Sequence, residues 1–76
     1  MIRLENIKRD GQYVICDIYP EGSKEPGQLT VNLTDGTGSY TLPDEYEWCE
    51  SHVNHAVHWI RENAENLPER QLVMWY

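Results

Sequence analysis

Apolar and polar residues alternate with a period of two through the first part of the chain, the repeat of strands that bury one face. Ile2 and Leu4 alternate with Arg3 and Glu5 as far as the turn formers Arg9-Asp10-Gly11, which predicts a strand and then a hairpin. Tyr13-Val14-Ile15-Cys16-Asp17-Ile18-Tyr19 is the strongest strand signal, being rich in β-branched and aromatic residues. Its parity puts Val14, Cys16 and Ile18 on one face and Tyr13, Ile15 and Tyr19 on the other. Pro20 to Gly27 is saturated with turn formers and reads as an exposed loop. A third strand follows with Leu29, Val31 and Leu33 facing inward, and Asp35-Gly36-Thr37-Gly38 turns it into a short fourth strand from about Ser39 to Leu42.

From Pro43 onward the period lengthens to that of a helix. Asp44 and Glu47 have the spacing of a capping box, and Glu45 adds charge at the positive end of the dipole, so a helix of roughly five turns is predicted from about Glu45 to about Glu65. At about 100° per residue, Tyr46, Cys49, Val53, Ala56, Val57, Ile60, Ala64 and Leu67 share one stripe, the predicted core face. Trp48, His52, His55 and Trp59 form a flank beside it. Pro68 stops the helix, and Gln71 to Tyr76 reads as a last strand with Val73 and Trp75 opposite Leu72 and Met74. The expected fold is α+β, one domain spanning residues 1–76, with a small curled antiparallel β-sheet packed on one C-terminal helix in the order ββββαβ.

Composition narrows the function classes. A chain of 76 residues has little interior for a cofactor beside a substrate pocket, so no cofactor and no enzymatic activity are expected. Thirteen Asp and Glu against six Lys and Arg give a formal charge of -7, which repels phosphate backbones and anionic lipid; nucleic acid and membrane are expected to be poor partners. Met1 to Asp10 alternates charged with apolar residues and lacks the apolar core of a signal peptide, so a cytoplasmic protein is expected. Cys16 and Cys49 form no Cys-x-x-Cys pair and are expected to be free, unreactive thiols in the core.

The run Cys49-x-x-His52-x-x-His55-x-x-His58 has soft and borderline metal-ligand types. A spacing of three drifts around a helix, however, so the two ends of the run face opposite sides and no single ion can take all four. A metal or ligand site on Cys49, His52 and His55 needs a further group from the sheet, and no metal site is expected. The pairs Cys49 with His52 and Ser51 with His55 would suit nucleophilic catalysis, but neither has an orienting third group or a Gly-rich oxyanion turn beside it. Asp44, Glu45, Glu47 and Glu50 are accounted for by the helix dipole. Gly22-Ser23-Lys24 lacks the glycine spacing and the following helix of a phosphate loop.

The aromatic choice is the most informative feature. Three Trp and five Tyr with no Phe means that every large ring carries a polar edge, which suits half-buried positions and interfaces. One helix covers only one sheet face, so Tyr13, Tyr19 and Trp75 are expected to collect on the other. The expected function is a small acidic interaction module that binds itself, as a homodimer, or another protein. Its candidate binding residues are Tyr13, Tyr19 and Trp75 on the sheet and Trp48, His52, His55 and Trp59 on the helix. An inhibitor that imitates nucleic acid with spaced carboxylates is a special case of that function, and metal or ligand binding through Cys49, His52 and His55 is the rival.

Overall fold

In the computed structural model, which describes residues 1–75, the alternating segments pair as read. β1 (Ile2–Asp10) turns through Gly11 and Gln12 into β2 (Tyr13–Pro20), and β3 (Gly27–Asn32) and β4 (Gly38–Thr41) follow. After α1 (Glu50–Glu62) the chain returns as β5 (Gln71–Val73), which pairs with the free edge of β1. The five-stranded sheet has the order β4-β3-β2-β1-β5, and every neighbouring pair is antiparallel.

One face of the sheet and the helix enclose the core. Ile2, Leu4, Val14, Ile18, Leu29 and Val31 are sealed from solvent beneath Val53, Ala56 and Ile60. Removing this much aliphatic surface from water is the main force holding so short a chain together, at roughly 25 cal/mol per Å² of apolar area buried. β1 departs from simple alternation. Its register with β2 shifts between Glu5 and Lys8, Asn6 takes φ 55°, and Ile7, at an odd position, joins Ile2 and Leu4 in the core. Asn6 donates from Nδ2 to Asp17 at 2.8 Å, and the freed Ile7 amide donates to the Glu69 carbonyl at 2.9 Å, tying down the approach to β5.

The helix is shorter than its periodicity predicts, because the capping box at Asp44 and Glu47 is not used. Glu45 sits at φ 72°, off the helical path, and the chain advances through single turns closed by Tyr46 N–H to the Pro43 carbonyl and Cys49 N–H to the Tyr46 carbonyl. Cys49 then holds the N-cap position without a side-chain cap. The far end stops at Glu62, where the side-chain amide of Asn63 donates to the Trp59 carbonyl at 2.9 Å and competes with continued winding. Ala64 and Leu67, expected on the core stripe, therefore lie beyond the helix and are only half-buried.

The last strand is shorter than expected and reversed in phase. Val73 pairs with Ile2 and is buried, and Leu72 is exposed on the outer face opposite Arg3. Met74 and Trp75 have left the sheet, and the Tyr76 end of the expected strand lies outside the described residues. No helix among the described residues is long and apolar enough to cross a membrane.

Candidate functional site

The departure of Trp75 from the sheet creates the most distinctive surface of the molecule. Instead of lying on the open face with Tyr13 and Tyr19, Trp75 sits against the flank of α1. Its indole stacks on His55, with centroids 4.2 Å apart and planes 6° from parallel, and meets His52 at right angles at 4.9 Å. Trp48 meets the same His52 ring at right angles from 5.4 Å, and Tyr46 lies beyond Trp48 at 6.5 Å. Five rings thus form one continuous run from the turn before the helix to the end of the chain. Three of the four separations fall in the range of about 4.5–7 Å where aromatic pairs add to simple burial, and the His55–Trp75 stack is closer still.

His52 is the sunken member. The side chain is 7% exposed, and its Nε2 lies 2.9 Å from Oε1 of Glu21. An ionised carboxylate only accepts, so Nε2 carries the proton and donates, which leaves Nδ1 buried without a partner among the described residues. Glu21 reaches this place from the β2–β3 loop. It holds φ 50°, ahead of Gly22 at φ 82°, and its amide is bound to the Met1 carbonyl at 3.1 Å. A non-glycine residue in the left-handed region is held there by its surroundings, here by contacts at both backbone and side chain. The imidazole bonded to Glu21 holds the carboxyl below the usual carboxylate range, with the terminal amine 3.4 Å away adding to the effect.

Trp48 is exposed, at 64%. Its indole N–H donates to the Glu45 carbonyl at 3.0 Å, and so the ring is pinned to the turn by its only polar atom. What it offers to solvent is an apolar π surface. A cleft of about 770 Å³ opens between the β2–β3 loop, at Gly22 to Pro26, and the chain from Leu42 to Tyr46, so that Tyr46, the neighbour of Trp48 in the run, stands on its wall.

No known protein family, curated protein or solved structure matches the chain.

The remaining expected residues are dispersed. Trp59, on the same flank as the run, is half-buried against the core. Tyr13 is exposed on the open sheet face, and Tyr19 on that face lies under the Arg3 guanidinium at 4.4 Å. The two tyrosines are about 20 Å apart along β2 at ordinary strand rise. Between them Asp17 accepts from Asn6 and Gln28 and cuts the face with a polar row. The open face is therefore not the single aromatic patch that strict alternation predicts. Cys49, His52 and His55 do not converge either: Cys49 is buried, Nε2 of His52 is engaged by Glu21, and His55 lies flat on Trp75. Among the described residues no group of three or more His, Cys, Asp or Glu side chains is placed to hold a metal ion.

Both thiols are free and buried. Burial, reinforced by the charge of Asp17, pushes the Cys16 thiol up to about 12, and burial followed by the charge of Glu21 pushes Cys49 up as well. A thiol that stays protonated is a poor nucleophile. Neither cysteine is therefore expected to react with a disulfide reagent at neutral pH until denaturant opens the core. Fast modification of Cys49 in the native protein would place its sulfur at the surface and contradict this arrangement.

Glu21 and Tyr46 are the members of the site that sequence reasoning missed. Glu21 lies in a loop whose composition announces only turns, and no periodic signal connects it to a residue 31 positions later. The helical period puts Tyr46 on the core stripe, but the helix begins four residues after it.

Proposed function

We propose that this protein is a non-enzymatic interaction module that binds another protein through the aromatic run of Trp48, His52, His55 and Trp75. The observation that carries this reading is Trp48, a large ring more than half exposed and fixed in place by a hydrogen bond at its one polar atom. Rigid, exposed aromatics give contact area at little cost in side-chain entropy, and tryptophan is prominent among the residues that dominate binding energy at interfaces. His52 and Glu21 brace the run from beneath. The buried Cys49, whose thiol burial pushes up, and the engagement of His52 by Glu21 and of His55 by Trp75 support the non-enzymatic part of the reading.

A photo-crosslinking test separates this face from the open sheet. A benzophenone amino acid placed at position 48 is expected to give a discrete protein adduct in the cells that make the chain, whereas the same group at position 13 gives none. Adduct mass distinguishes a second copy from a different protein. Adducts at 13 alone, or at neither position, would defeat the assignment of the face.

A further inference from the structure

We infer that the partner presents a basic, arginine-bearing segment to this face, an inference that rests on the interaction reading above and adds the chemistry of the occupant. Two independent features of the surface converge on a cation. The first is the ring itself. Because the indole N–H of Trp48 is spent on the Glu45 carbonyl, a partner finds no free hydrogen-bond donor on the ring, and what remains to recognise is a π system whose quadrupole attracts positive charge and favours a stacked guanidinium.

The second feature is where the charge lies. Segments 21–25 and 44–50 flank the cleft and the Trp48 end of the ring run, and they hold six of the thirteen carboxylates but only one of the six basic side chains, Lys24. They carry a formal balance of -5 out of -7 for the whole chain. Asp44, Glu45, Glu47 and Glu50 are all exposed, and since α1 begins only at Glu50 with no side-chain cap, Asp44 and Glu47 do not serve the capping role that their spacing suggests. These carboxylates remain available to pair with guanidinium groups, which they match in geometry as well as in sign. The same concentration of charge opposes a second copy on this face, because two-fold pairing would bring the two acidic ends together. A basic segment lying in the cleft, with one side chain over Trp48, satisfies both features.

The test uses the full chain and three fluorescent twelve-residue peptides that alternate glycine with arginine, glutamate or leucine. The arginine peptide is expected to bind, to weaken as salt is raised, and to shift the backbone amides of residues 21–25 and 44–52 selectively in NMR spectra. Trp48→Ala should weaken that binding about tenfold with the fold intact by circular dichroism, Trp48→Phe should restore part of it, and Tyr13→Ala, at an exposed position on the open sheet face, should leave it unchanged. If the leucine peptide binds this face in a Trp48-dependent way and the arginine peptide does not, the face stands and the cationic partner is overturned. Arginine binding that ignores Trp48 and shifts amides over the whole surface reduces the effect to net charge and also overturns the inference. If no peptide perturbs these amides and position 48 yields no crosslink, the interaction reading falls with it.

Discussion

Replacing Gly27 with alanine is expected to be the most damaging small substitution in the sheet, at about 3 kcal/mol or more. A Cβ at this buried position would lie 2.1 Å from the Thr41 carbonyl oxygen and 3.2 Å from Cγ1 of Ile18. The first contact is with backbone, so no side-chain rotation relieves it, and β4 must move away from β3 where Gln28 pairs with Thr41. Two effects compete. Alanine stiffens the unfolded chain, which favours folding by about 0.4–1 kcal/mol where the native backbone suits it, but a collision of more than 1 Å outweighs that gain. Gly22 is the control. It has φ 82° but open space around it, so Gly22→Ala carries only the left-handed backbone penalty of about 1–2 kcal/mol. Urea unfolding of both variants checks the order, and equal midpoints would mean that the β3–β4 junction yields more easily than this packing implies.

Ile60→Ala is the second large effect. Ile60 is wholly buried where α1 lies over the sheet, and truncation leaves a cavity that neighbours on a paired sheet fill poorly, for a loss of about 2–5 kcal/mol. A domain of this length holds only about 4–11 kcal/mol in total, so the variant is expected to lose from about a fifth to all of its stability. Glu65→Ala, at an exposed position past the helix, should change stability by less than about 0.5 kcal/mol. Chemical denaturation with an unchanged slope is the measurement, and equal midpoints for the two variants would mean that the buried face of α1 is misassigned.

The elements that were legible in the sequence are those whose neighbours impose a period. Val14, Cys16, Ile18, Leu29 and Val31 alternate because both strands lie inside the sheet with one face covered, and the structure keeps that parity without interruption. Val53, Ala56 and Ile60 were legible for the same reason on a helix. The errors fall where a local device breaks the period. Glu45 leaves the helical region at a site where composition favours a cap, Asn63 ends α1 before its apolar stripe runs out, and β5 is too short for parity to be decided by anything but its pairing with Ile2. Trp75 followed from that last error. Assigned to the sheet by alternation, it belongs with His52 and His55, and so two sets of candidate residues that seemed to lie on separate faces share one of them at a common site.

The irregularity at Asn6 bears on which changes of chain length the protein tolerates. β1 has two residues, Asn6 and Ile7, where β2 has only Cys16 between the paired positions Asp17 and Ile15. Deleting Asn6 would bring Ile7 opposite Cys16 and continue the pairing of Glu5 with Asp17 and Lys8 with Ile15 unbroken, with Ile2, Leu4 and Ile7 of β1 still facing inward. Losing a residue within β2 or β3 has no such remedy, because everything beyond the cut inverts and Val14 or Val31 turns to water. A scan of single-residue deletions read out by soluble expression is expected to pass at Asn6 and to fail at Ile15 and Thr30. If it does, this one position is where the lineage can shorten the sheet, or lengthen it again, without rewriting the core.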